Sequence, residues 1–304
     1  MNHTSLPLQQ LCDAAIQAAL EAGQFVQSAD RSRLQRRFKD TGSSAASQLV
    51  TEVDIRSEAI IRERLQATLD ELDIAFVGEE SSRSVPGGPP GGPPERLHTP
   101  YHWCVDPLDG TLPFVEGNPG YAISIALVSR SGSPLIGVVY DPVTSTLLHA
   151  IRGQGAYRDE TPLLRPTTVS TVLVVFADRS FEAHEHDPDF LDTLTGCAGE
   201  FGLKGFEVVY GSGAVKNACQ VLNHGAACYL KLPKRQDGGG SIWDFAASAC
   251  IVKEAGGWSS NIHGQPLALN RPDSTFMNHQ GVLYASTEQI AKYLIERLTT
   301  ATGF

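Results

Sequence analysis

The run Trp103-Cys104-Val105-Asp106-Pro107-Leu108-Asp109-Gly110-Thr111 constrains this chain more than any other stretch. A strand-like apolar lead-in carries into two carboxylates three positions apart, and Pro107 and Gly110 bend the backbone around them. A fold built on this run buries the approach to Asp106 and turns Asp106, Asp109 and the Leu108 carbonyl toward one point. Oxygen-only donors in that arrangement suit a hard divalent cation. The amides of Gly110 and Thr111 then lie beside the cation as a small nest for a phosphate oxygen. The same residues also suit an ordinary turn, since Asp-Pro and Asp-Gly are common turn dipeptides.

Three further acidic sites bear on the choice. Gly78-Glu79-Glu80 follows the apolar run Ile74-Ala75-Phe76-Val77 and again puts carboxylates at a strand end. In Trp243-Asp244-Phe245-Ala246-Ala247, Asp244 opens a helical pattern and is expected to be its N-cap. Asp54 stands at the N-terminal edge of a second helical pattern, from about Ile55 to Leu69, where a plain N-cap is the alternative to a chemical role. Buried acids that recur at element ends need neutralising, and bound cations do this.

The balance of 24 Lys and Arg against 34 Asp and Glu, a formal charge of -10, argues against a nucleic-acid polymer as partner. It leaves room for a small phosphorylated metabolite, because bound cations invert the local field. Six cysteines without short ligand spacing read as buried thiols of a reducing compartment. No signal peptide or membrane-length apolar run is visible, and the cytoplasm is the expected location.

Residues 8–29 form a helical pattern, followed by a basic stretch from Arg31 to Lys39 and a Ser-rich loop from Thr41 to Gln48. Strand patterns at 121–128, 135–140 and 146–151 give the first half two helices against an antiparallel sheet. From Thr171 strands alternate with helices. The expected organisation is an N-terminal α+β domain over 1–165 carrying most acidic candidates, and a C-terminal α/β domain over 166–304 completing the site. The Pro/Gly-rich stretch from Ser84 to Pro100 is an expected exposed loop.

Together, Val50-Thr51-Glu52-Val53-Asp54, Gly78-Glu79-Glu80, the Trp103 to Thr111 run and Trp243 to Ala247 with Glu254-Ala255-Gly256-Gly257 resemble the motifs of the inositol monophosphatase family. The resemblance runs from about residue 8 to 295, in the family's order. It implies a layered α-β-α-β-α sandwich and a lithium-sensitive, Mg2+-dependent phosphomonoesterase. Carried over by position, Glu79, Asp106 and the Leu108 carbonyl hold a first Mg2+, while Asp106 bridges to a second completed by Asp109 and Asp244. A third, weaker ion uses Glu79, which gives two or three per site. Thr111 and Asp54 orient and deprotonate the attacking water, Glu79 assists from the cation side, and Asp109, Gly110 and Thr111 receive the phosphate. Glu80 is expected to support these residues from behind, and a homodimer is an open expectation.

Substrate choice turns on one departure. Where inositol-specific members carry a carboxylate for substrate hydroxyls, this chain has Lys231, which cannot accept a proton from a hydroxyl and instead suits a second phosphate. This leans toward a 3'(2'),5'-bisphosphate nucleotidase acting on 3'-phosphoadenosine 5'-phosphate; a solvated Lys on a strand is the plainer reading. Leu112 stands where that branch usually has Lys, which pulls the other way. Ser212, Gly213 and Ala214 at a helix start are expected to offer amides to the substrate, or else simply to begin a helix. The alternatives are an inositol monophosphatase, a broad sugar-phosphate phosphatase and, more distantly, a non-catalytic metal-binding protein. His102 and His263 lack ligand-spaced partners and read as structural.

Overall fold

The computed structural model describes residues 6–31, 36–38, 49–83, 95–164, 170–178, 181 and 186–301. Residues 32–35, the Ser-rich stretch 39–48, the Pro/Gly-rich stretch 84–94 and the expected domain boundary at 165–166 lie outside them. In chain order the first half comprises α1 (Leu8–Ser28), β1 (Arg36–Phe38), β2 (Leu49–Thr51), α2 (Glu52–Leu72), β3 (Ile74–Gly78), α3 (Glu79–Arg83), α4 (Glu95–His98), β4 (Tyr101–Asp109), α5 (Thr111–Glu116), β5 (Ala122–Ser129), β6 (Pro134–Asp141), β7 (Thr146–Ile151), β8 (Ala156–Arg158) and β9 (Thr161–Pro162). The second half comprises β10 (Leu173–Phe176), α6 (Pro188–Glu200), β11 (Phe206–Val209), α7 (Ala214–Gln220), β12 (Ala227–Lys231), α8 (Ile242–Glu254), β13 (Trp258–Ser260), β14 (Val282–Ala285) and α9 (Glu288–Ala301).

Strands β3 to β9 form one sheet in sequence order, and a second sheet has the order β11-β10-β12-β14-β13. Side-chain alternation decides what each face meets. On β4 and β5, Trp103, Val105, Ile123, Ile125 and Leu127 point to a core shared with Leu11, Ala15, Ala19 and Ala22 of α1 and Ile61 and Leu65 of α2. The small residues Cys104, Ala122 and Ala126 face the other way, where α8 packs close. Helix α8 is apolar nearly all round, as a helix enclosed between two sheets must be. Beyond the second sheet, Leu173, Val175, Cys228 and Leu283 pack on Phe190 and Leu194 of α6 and Ile290 and Leu294 of α9. The result is the expected α-β-α-β-α sandwich. All six cysteines are buried and free. No described helix is long and apolar enough to cross a membrane.

The first sheet corrects the expectation of an antiparallel sheet at one pair. β3 and β4 run parallel with Gly78 opposite Val105, so both strands end at the same edge and Glu79 emerges beside Asp106. Past Asp106 the pairing of β4 with β5 shifts, because Pro107 cannot donate to the ladder. That irregularity turns the second carboxylate, Asp109, toward the first.

His102 on β4 is fully buried, and neither ring nitrogen has a hydrogen-bond partner among the described residues. Burial and the neighbouring Arg96 guanidinium push its pKa down to about 3. The unfolded chain takes up a proton near pH 6.5 that the folded chain refuses, so stability present above that pH is lost as pH falls. We expect His102→Leu to flatten this dependence, removing about 2 kcal/mol of acid destabilisation at pH 5. Urea unfolding at pH 7.5 and pH 5 measures it; an unchanged difference between the two pH values contradicts it.

Candidate active site

Asp106, Asp109 and Asp244 each bring a carboxylate oxygen within 4.8 Å of the others, the group of acids best placed to share a metal ion among the described residues. Asp106 and Asp109 are buried, and Leu108 N–H donates to Asp106 Oδ1 at 3.0 Å. The Leu108 carbonyl oxygen lies 3.2 Å from the Thr111 hydroxyl oxygen. Glu79 lies outside this tight trio, yet its charge raises the pKa of both aspartates. Burial is the larger cause for each, and for Asp109 the charge of Asp244 comes next.

Two of the acids owe their placement to the same local device. Asp244 is not the N-cap expected of it, and Asp54 is not the plain N-cap that was its alternative; the caps are Ser241 and Thr51, and each aspartate is the third helical residue of a capping box. Asp54 Oδ2 accepts from Thr51 N–H at 2.8 Å and from the Thr51 hydroxyl at 2.6 Å, while its Oδ1 accepts from the Thr111 hydroxyl at 2.8 Å. Asp244 accepts from Ser241 N–H in the same way. The structure thus brings Thr111 and Asp54 together, and Gly110 precedes Thr111 with φ 83°, a conformation suited to glycine.

Asp109 is held from the second half of the chain. Its two oxygens accept from Ala214 and Val215 N–H, each at 3.0 Å, at the start of α7. A Cβ on Gly213 would lie 2.3 Å from this carboxylate, so only glycine permits the approach. The amide of Gly213 donates to the Gly120 carbonyl at 2.8 Å. The amides of Gly213 and Ala214 are therefore engaged within the chain, a correction to their expected contact with substrate; the Ser212 carbonyl accepts from Asn217 at 3.1 Å.

Lys231 also departs from expectation. Its ammonium is paired with Asp178 at 2.8 Å, both side chains being largely buried, and Asp178 also accepts from the Tyr229 hydroxyl at 3.1 Å. These three residues stand at the carboxyl ends of the adjacent parallel strands β10 and β12. Burial pulls the Lys231 pKa down, but the carboxylates of Asp178, Asp244 and Asp109, Asp178 foremost, together outweigh it and hold it up. An ammonium so neutralised is a poor counter-charge for a second phosphate.

Residues passed over in the sequence complete the frame. Ser57 donates to the Pro107 carbonyl at 2.8 Å, and Glu58, buried one turn after Asp54, accepts from Glu80 N–H and Ser81 N–H, each at 2.8 Å. Burial pushes the Glu58 carboxyl up, and Glu79 adds to the push. The spacing of Thr51 to Asp54 and of Ser241 to Asp244 was the available signal for the caps; nothing local marked Glu58 or Asp178.

The donor set fits Mg2+. It is oxygen-only, with Asp106 and Asp109 buried and Asp244 half-buried, and its like charges repel, so that a cation is what lets all of them ionise together. Because protons compete with the cation for carboxyls whose pKa is raised, Mg2+ binding should strengthen with pH. The metal-free protein loses the stability contributed by these carboxyls as pH rises through their raised pKa values, whereas bound Mg2+ restores it. The melting-temperature gain on adding Mg2+ is thus expected to be larger at pH 8 than at pH 6; equal gains contradict a site at these carboxylates.

Comparison with known proteins agrees with this geometry. A sequence model of the inositol monophosphatase family matches residues 7–302. Inositol monophosphatase 3 of Solanum lycopersicum is 31% identical over 263 residues, 86% of this chain and 90% of the relative. Inositol-1-monophosphatase of Bacillus subtilis is 30% identical over 258 residues, 83% of this chain and 84% of the relative. In fold, the chain is similar to the crystal structure of extragenic suppressor protein suhB from Bartonella henselae, with a TM-score of 0.69 and 23% identity over 96% of this chain and 99% of that one.

Proposed function

This chain belongs to the inositol monophosphatase family and is a Mg2+-dependent phosphomonoesterase, and on that premise we propose that its substrate is a polyol monophosphate of the inositol phosphate kind. The observation that carries this reading is the Lys231–Asp178 pair. An ammonium paired with a carboxylate is a weaker counter-charge for the second phosphate of 3'-phosphoadenosine 5'-phosphate, and Asp178 adds beside it a carboxylate that can accept from a hydroxyl, which supports this reading. The names of the relatives in tomato and Bacillus subtilis support the same choice.

In this reading Asp106, Asp109 and Asp244, with Glu79 and the Leu108 carbonyl, hold two or three Mg2+ ions. When bound, the ions polarise the phosphoryl group and make water more acidic, with inhibition by Li+ as an expected accompaniment. The amides of Gly110 and Thr111, at the start of α5, orient the phosphate oxygens. The Thr111 hydroxyl donates its proton to Asp54, so its lone pairs face outward to accept one from the attacking water. As the water's oxygen closes on phosphorus, its proton passes to Thr111 Oγ while the threonine proton passes to Asp54. Thr51 fixes the other oxygen of Asp54, which keeps the relay pointed one way. The departing alkoxide leaves in line with the attack, and no covalent phosphoenzyme forms.

We expect Thr111→Ala and Asp54→Asn each to lower kcat by about 100-fold or more while Mg2+ binding persists. Loss of Mg2+ binding together with activity would make the pair structural. Side-by-side kcat/KM for inositol 1-phosphate, fructose 1,6-bisphosphate and 3'-phosphoadenosine 5'-phosphate tests the substrate class. A preference of about tenfold or more for inositol 1-phosphate, or some 1.4 kcal/mol, is expected; the reverse preference restores the nucleotidase reading.

A further inference from the structure

One turn of α2 touches three separate pieces of the site. Asp54, Ser57 and Glu58 share a helix face by their spacing. Asp54 accepts from Thr111 at 2.8 Å, Ser57 donates to the Pro107 carbonyl at 2.8 Å, and Glu58 accepts from Glu80 and Ser81 N–H at 2.8 Å each. The first contact fixes the start of α5, the second the bulge between Asp106 and Asp109, and the third the chain immediately after Glu79. Helix α2 is 21 residues long and packed on the sheet, so this turn is a fixed gauge against which the three segments are set.

Glu58 is the unexpected member. It is 6% exposed, and its carboxylate meets backbone amides rather than a cationic side chain. Room for it is built into the chain at Gly78, where a Cβ would lie 2.2 Å from Glu58 Oε2. A carboxylate buried close to other carboxylates is a costly way to tie down one turn of backbone, unless that turn needs to be held to a fixed place. The turn in question carries Glu79, whose charge acts on both Asp106 and Asp109.

Resting on the reading that Glu79 joins the Mg2+ site, we propose that Glu58 is a positioning residue that sets Glu79 against the Asp106, Asp109 and Asp244 cluster and thereby tunes Mg2+ affinity. Glu58→Gln separates this role from simple helix capping. Its NH2 group is a donor facing a donor, so at most one of the two amide contacts survives. The volume and the fold are otherwise kept.

Calorimetric titration of Mg2+ into metal-free wild type and Glu58→Gln decides the matter without turnover. The Mg2+ Kd is expected to rise about tenfold in the variant. Activity lost at low Mg2+ should return when Mg2+ is raised, so that the defect falls on half-saturation more than on the limiting kcat. A variant that melts cooperatively and binds Mg2+ as wild type does overturns the proposal, and leaves Glu58 a structural cap. If Glu58→Gln does not fold, Gly78→Ala takes its place, because the added methyl displaces the same carboxylate from the other side; a folded Gly78→Ala protein with wild-type Kd overturns it equally. Wild type that binds Mg2+ yet hydrolyses no phosphomonoester overturns the proposed reaction, while the Kd comparison still decides Glu58. Wild type that binds no Mg2+ overturns both.

Discussion

Mutual repulsion among carboxylates that the fold forces together is the constraint on which the rest of this structure depends. Asp106, Asp109 and Asp244 meet within 4.8 Å, the first two buried and the third half-buried, with Glu79 adding charge from just past the end of the neighbouring strand. Left alone, such a group holds its protons and weakens the fold at neutral pH. Joined by a divalent cation, the same group becomes a link between the first sheet and the helix packed on it. Asp106 and Asp109 come from the first sheet, and Asp244 comes from the helix that packs between the sheets. Catalytic chemistry and the docking of the layers therefore draw on one set of charges.

The frame around these acids is made largely of helix beginnings. Asp54 and Asp244 sit in the first turns of α2 and α8, and Asp109 receives the first amides of α7. Helix starts present unpaired N–H groups and a partial positive charge, which favour carboxylates before any cation arrives. Glu58 inverts the arrangement: a carboxylate from the body of α2 receives the first amides of α3. In each case a backbone donor fixes the carboxylate's direction, and direction is what a water-mediated phosphoryl transfer needs.

Much of this was legible in the sequence because it is local. The Trp103 to Thr111 run, the two Glu after Gly78 and the Trp243-Asp244 pair each declare an acid at the end of an apolar element. Helix and strand periodicities marked the elements, and the resemblance to the inositol monophosphatase motifs implied their layering. What escaped was set by register and by tertiary approach. The parallel pairing of β3 with β4 cannot be read from either strand alone, yet it is what lays Glu79 beside Asp106. Asp178 lies 53 positions before Lys231, and only the adjacent strands β10 and β12 bring the two into contact. The helices of Asp54 and Asp244 begin three residues earlier than their apolar patterns suggest, at the caps Thr51 and Ser241, whose spacing to the acids is visible in the sequence.

A crystal structure of the protein grown with Mn2+ in place of Mg2+, with anomalous scattering recorded at the manganese edge, tests the central claim most directly. An anomalous peak within coordination distance of Asp106, Asp109 and Asp244 together is the expected result. Well-ordered carboxylates with no peak between them, or manganese bound only elsewhere on the molecule, would contradict it.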